Sequence, residues 1–128
     1  MNIVNLRREF KFQLIRYVPD PVRNEFVNIG VLLRGCRSEH DPDQGADLRF
    51  TRDWRRVQCI DPDADIALLE DMEADLRSAI QNDADGQVMK IVDSFALNIQ
   101  TTEPKAYLAE SLSAGLDELM RLYVDSSA

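Results

Sequence analysis

An α+β domain is what this sequence of 128 residues predicts, with a largely antiparallel sheet in the order β-β-β-α-β-α and two helices packed on one face. Three observations lead there. Two apolar stretches that alternate like strands flank a short loop rich in Pro, Asp and Asn. A third alternating stretch follows a turn-rich segment. Two later stretches carry apolar residues at helical spacing.

The first strand is read over Phe10 to Val18, where Phe10, Phe12 and Leu14 alternate with Lys11 and Gln13. Pro19-Asp20-Pro21 removes backbone donors and fixes φ, so regular structure is expected to stop there. Phe26 to Leu33 reads as a second strand, and the two form an antiparallel hairpin around loop residues 19 to 25. Setting Val18 opposite Phe26 places Arg16 opposite Asn28, Ile15 opposite Ile29 and Leu14 opposite Gly30. The face bearing Ile15, Ile29, Val31 and Leu33 is then the core face. Gly30 leaves a gap for Leu14 or a neighbouring aromatic, and Arg16 is placed to hydrogen-bond the Asn28 amide.

Ala46 to Arg52 predicts a third strand, with Leu48 and Phe50 inward, and Trp54 to Ile60 an irregular or helical turn. Asp61-Pro62 has the form of a helix start, a capping acid followed by proline. Ile66, Leu69, Leu76 and Ile80 continue at helical spacing to a stop near Asn82. A fourth strand is expected around Phe95 to Gln100 and ended by Glu103-Pro104. A last helix over Glu110 to Val124 carries a stripe of Leu112, Leu116, Leu119, Met120 and Tyr123. The whole chain, 1-128, is one domain. Its 45% apolar content suffices for a core, since folding at this size buries roughly two-thirds of the unfolded surface.

No apolar run approaches the roughly 18 residues needed to cross a bilayer, and Arg7, Arg8, Glu9 and Lys11 break any signal-peptide core. A cytoplasmic location without membrane contact is therefore expected. Cys36 and Cys59 lie far apart and suggest neither a disulfide framework nor a metal pair. The single histidine, His40, lies in the polar stretch 38–45, which reads as a solvated loop in preference to a metal site. Asp61, Asp63 and Asp65 imitate half a calcium loop, but Ile66 stands where glycine is required and Met72 where the bidentate glutamate would be. No cofactor is expected.

Net charge is -8 and unevenly divided: residues 1–60 hold 11 Lys/Arg against 8 Asp/Glu, whereas residues 61–128 hold 4 against 15. If the two halves occupy different surfaces, the domain has a basic and an acidic side. Two clusters are candidate sites. At the hairpin end Arg16, Asp20, Arg23, Glu25 and Asn28 concentrate charge, read either as a ligand or partner site or as a loop held by its own ion pairs. Between residues 49 and 56, Arg49, Arg52, Arg55 and Arg56 accompany Phe50 and Trp54, a combination that can track phosphates and stack on bases. Asp53 interrupts that run, and the arginines have acids in the following helix as alternative partners.

Arg16-Tyr17-Val18-Pro19-Asp20-Pro21 and Asn28-Ile29-Gly30-Val31 resemble the hairpin signature of a bacterial domain-of-unknown-function family, number 3037. The resemblance extends through Leu48-Arg49-Phe50, Asp61-Pro62-Asp63 and the closing Leu116 to Val124. It implies no reaction. It does imply a neighbourhood, because members are often encoded beside HipA-like serine/threonine kinases of the toxin-antitoxin type. No catalytic motif stands out, so three readings remain. The first is a non-enzymatic accessory protein that docks a HipA-like kinase through Glu70, Asp71, Asp75, Asp117 and Glu118. The second is a nucleic-acid-binding module using the four arginines. The third is an enzyme with an unfamiliar polar centre at the hairpin. A homodimer is compatible with all three.

Overall fold

Aromatic and branched side chains on both parities of one long segment dictate the architecture. In the structure, a computed structural model describing residues 7–35, 45–81 and 98–125, that segment is β1, Arg8–Asp20. A 3-10 turn over Pro21–Arg23 leads into β2, Glu25–Gly35, followed by β3, Ala46–Phe50. Two helices come next, α1 over Arg55–Ile60 and α2 over Ile66–Gln81. Strands β4, Ile99–Thr101, and β5, Lys105–Ala109, precede α3, Leu112–Leu119, which continues as a π-helical turn over Met120–Val124. All pairings are antiparallel in the order β3-β2-β1-β4, with β5 also on β1. The α+β class and the antiparallel sheet thus stand.

Helix placement differs from expectation. Successive strand side chains point to opposite faces. Phe10, Phe12, Leu14, Val31 and Leu33 therefore share one face, where they pack with Leu116, Leu119, Met120 and Val124 of α3 and its π turn. Ile15, Tyr17, Ile29, Leu32, Leu48 and Phe50 share the other, where they pack with Val57, Leu69, Met72 and Leu76 of α1 and α2. The helices are divided between the two faces because β1 and β2 are apolar at both parities, and each face needs its own cover.

The hairpin pairs as expected in its middle, with Arg16 opposite Asn28 and Tyr17 opposite Val27, but a second shift toward the loop sets Asp20 opposite Glu25, one residue off the register that places Val18 opposite Phe26. Beyond a bulge at Ile29 the register moves by one residue, so Ile15 meets Gly30 and Leu14 meets Val31. Val31 and Leu33 consequently face α3 instead of joining Ile15 and Ile29. β1 also continues through Pro19 to Asp20, since its last residues need no donors on the open side.

β4 and β5 lie end to end along one edge of β1, against Ile15–Tyr17 and Arg8–Phe12 respectively. β4 stops before Glu103-Pro104 as expected, and β5, absent from the expected elements, resumes the pairing with β1 after it. Thr102 bridges the break: its N–H donates to the Leu14 carbonyl at 3.0 Å, and its hydroxyl accepts from Leu14 N–H at 2.9 Å. The expected strand start at Phe95 lies outside the described residues. Helix α2 begins later than Asp61-Pro62 suggests. Asp65 supplies its cap, accepting from Leu68 N–H at 3.0 Å, while Asp61 closes the preceding turn, accepting from Asp63 N–H at 3.1 Å. Trp54 to Ile60 resolves into α1. No helix among the described residues is long and apolar enough to cross a membrane.

Gly30 is fixed by packing. A Cβ there would stand 2.6 Å from Phe50 Cδ1 and 2.8 Å from the Arg49 carbonyl, so the gap left by glycine is filled by an aromatic ring and Leu14 lies on the opposite face. Gly30→Ala is expected to destabilise the fold by about 1–3 kcal/mol, the usual cost of overpacking, read as a lower urea midpoint with an unchanged slope. A second expectation concerns Tyr17, whose hydroxyl donates to Asp61 Oδ2 at 2.5 Å. Burial, then the bond to Asp61 and its charge, push the phenol from 10.0 up to about 12. Between those two values the unfolded chain has released this proton and the fold retains it, so stability falls as pH rises through the window. In a Tyr107→Phe, Tyr123→Phe background, Asp61→Asn should move the phenolate absorbance midpoint down toward the ordinary value.

Candidate functional site

Leu48 and Phe50 turn inward on β3, which sends Arg49 to the opposite face and starts a polar turn at Thr51. Trp54 packs edge-on against Phe50, with ring centroids 6.4 Å apart, and anchors the start of α1. Its Nε1 has no hydrogen-bond partner among the described residues. A cleft of about 740 Å³ opens between this turn, α1 and the C-terminal π turn. All four sequence-predicted arginines, Arg49, Arg52, Arg55 and Arg56, line it. Its inner side is made by Phe50, Met120 and Val124, and Cys59, exposed, lies at its α1 wall.

Each arginine already has a partner. Arg49 pairs with Asp117 of α3. Arg52 Nη1 donates to Glu73 Oε1 at 2.7 Å. Arg55 forms a forked pair with Asp53, from Nε at 2.9 Å and from Nη2 at 2.6 Å. That bond holds the Asp53 carboxyl down at about 2 and raises the Arg55 guanidinium. Arg56 Nη1 donates to a carbonyl, that of Val124, at 3.1 Å. Thr51 Oγ1 accepts from Asp53 N–H at 3.0 Å and lies 3.1 Å from Asp125 Oδ1, tying the turn to the end of the π turn.

Two of these pairs, Arg49–Asp117 and Arg52–Glu73, cross between the basic and acidic halves of the sequence, because β3 is sandwiched by α2 and α3. Separate basic and acidic sides therefore do not form around the arginines. Glu73 does more than pair: it is buried, and its Oε2 accepts from Phe50 N–H at 2.6 Å. Two residues back, Leu48 N–H donates to the Asp47 carboxylate at 2.8 Å. Two donors on the outer edge of β3, those of Leu48 and Phe50, are thus occupied, which blunts this part of the edge as a template for another strand.

The hairpin candidates separate into two groups. Arg16 Nε donates to Asn28 Oδ1 at 3.1 Å while its guanidinium sits 4.1 Å above the Phe26 ring. Asn28 in turn donates to the Tyr123 carbonyl at 3.2 Å. At the tip Arg23 lies 3.7 Å from Asp20 and 3.9 Å from Glu25, and Asp20 also accepts from Val22 N–H at 3.0 Å. Asn24 takes the left-handed conformation, φ 57°, that closes the turn. His40 and Cys36 lie outside the described residues. Met120, Val124 and Asp125 reach the cleft from far along the chain, and nothing in their local sequence marks them.

Of the acidic residues expected to dock a partner, Asp117 is engaged by Arg49, and Glu118 accepts from the Tyr107 hydroxyl. Glu70, Asp71 and Asp75 are exposed on α2. Leu68, 49% exposed, shares a helical stripe with Asp71 and Asp75.

Glu73→Ala should cost about 1–3 kcal/mol by leaving the Phe50 N–H without an acceptor, whereas Glu73→Gln keeps an acceptor and should cost less. Urea unfolding of both variants measures the difference.

No curated protein and no solved structure matches the chain. The model of a family described as protein of unknown function, DUF3037, matches residues 12–124, which run from within β1 to the end of the π turn and take in all of one core cluster, all but Phe10 of the other, and all of the cleft lining but Asp125. The chain belongs to the DUF3037 family.

Proposed function

We propose that this chain is a non-enzymatic accessory protein that docks a protein partner through the outer face of α2, the partner being a HipA-like serine/threonine kinase. The supporting observation is the composition of that face, where Asp71 and Asp75 share a stripe with a half-exposed Leu68 and Glu70 adds a third exposed carboxylate further round the helix. An apolar anchor beside exposed carboxylates fits a basic surface with a shallow apolar pocket. The partner class rests on the gene neighbourhood that the family resemblance implies.

The nucleic-acid reading is weaker because three of the four guanidiniums in the arginine cleft are bound to carboxylates and a strand asks for an extended basic track. The hairpin enzyme reading is weaker because Asp20 and Glu25 share Arg23 at an exposed tip, where water screens their charges.

The tagged chain should capture a HipA-like kinase from the same genome at low salt and release it as salt rises. Glu70→Gln, Asp71→Asn and Asp75→Asn together should weaken capture about tenfold or more, which is 1.4 kcal/mol or more. Failure to recover the kinase at low salt, or equal recovery by the triple variant, would sink the docking reading.

A further inference from the structure

We propose that the arginine cleft binds a small phosphate-bearing molecule, with its phosphate held by Arg52 and Arg56 and its remainder lying toward Met120 and Val124. This site is separate from the α2 docking face, whose three carboxylates do not line it.

Shape is the first support. A concave space of about 740 Å³ is the size of a small-molecule site, commonly about 300–1,000 Å³, whereas a nucleic-acid strand asks for an extended track. Charge is the second. The lining holds four arginines against Asp53 and Asp125, and two of the four, Arg49 and Arg52, meet carboxylates from outside it, Asp117 and Glu73, whereas the bond described for Arg56 goes to a carbonyl. A phosphate monoester carries about -1.5 to -2 near neutrality, so it draws first on Arg56 and then on the open side of Arg52.

The third support is the state of each guanidinium. Arg55 spends its fork on Asp53, and Arg49 is turned to Asp117 on α3. Arg52 and Arg56 each commit a single Nη1 in the bonds described, to Glu73 and to the Val124 carbonyl. The rest of each planar fork has the geometry that phosphate oxygens prefer. Glu73 is buried and also bound to the β3 backbone, so Arg52 is held from behind by a fixed group. Val124, 3% exposed at the end of the π turn, holds Arg56 similarly. Such anchoring lowers the ordering cost of binding.

Cys59 reports on occupancy because it lines the same cleft and is exposed. In full-length Cys36→Ser protein, the alkylation rate of Cys59 and the melting temperature would be followed with inorganic phosphate, pyrophosphate or ATP added, and with sodium chloride at matched ionic strength. A phosphate-bearing probe should slow alkylation several-fold and raise the melting temperature, while chloride does neither. Arg56→Gln and Arg52→Gln should each weaken the probe's apparent affinity about tenfold or more, the size of one lost charged hydrogen bond. Arg56→Lys, keeping charge without the fork, should recover part of the affinity and not all of it, while a loosened π turn in Arg56→Gln would show as a lower melting temperature without any probe. The α2 triple variant should bind the probe as well as the parent, which separates this test from that of partner docking. Protection by chloride alone, or protection unchanged in both arginine-to-glutamine variants, overturns the proposal. So does the absence of any protection by the three probes, or tighter binding of single-stranded oligonucleotides than of ATP.

Discussion

β1 has to be paired along both edges and covered on both faces, and the rest of the molecule is arranged to meet that demand. One edge takes β2, and the other takes β4 and β5 in succession. Its even-numbered residues Phe10, Phe12 and Leu14 require the C-terminal helix, while Ile15 and Tyr17 require α1 and α2. Removing about 25 cal/mol per Å² of apolar surface from water favours each layer. The C-terminal segment is thereby drawn across the sheet, and its last turn comes to rest beside the end of β3.

The cleft follows from that traverse. The β3–α1 connection is fixed by Phe50 and Trp54 in one core, and the π turn by Met120 and Val124 in the other. The two cores therefore meet at the edge of the sheet, with polar groups of both segments facing each other across the gap. Arg52 reaches back to α2 and Arg56 to the π turn, so the arginines join layers as well as lining a cavity. A surface ion pair alone contributes little, about 0–1 kcal/mol. The buried Glu73 differs because its second oxygen satisfies the β3 backbone.

Much of the fold was legible from local chemistry. The hairpin, β3, α2 and the last helix each have a periodicity that announces them, and the Arg16–Asn28 contact follows from the register in the middle of the hairpin. β5 went unread because Lys105–Ala109 is short and follows Pro104, which punctuates the sequence without ending the pairing. The start of α2 was placed too early because Asp61-Pro62 has the chemistry of a helix start, whereas Asp61 serves a turn and the Tyr17 hydroxyl. The arginine cluster was visible in sequence, but its opposing wall was not.

The sequence by itself determined the antiparallel hairpin, the strand character of β3, the helical character of α2 and α3, and the identity of the arginine-rich turn, since all of these rest on neighbours within a few residues. Tertiary structure alone decided which helix covers which face, how a bulge at Ile29 divides Val31 and Leu33 from Ile15, and which carboxylate each arginine meets. Those outcomes depend on groups 20 to 70 residues apart, as in Arg52–Glu73 and Arg49–Asp117. Their pairing is set by how both faces of one central strand can be buried at once, which no local pattern encodes.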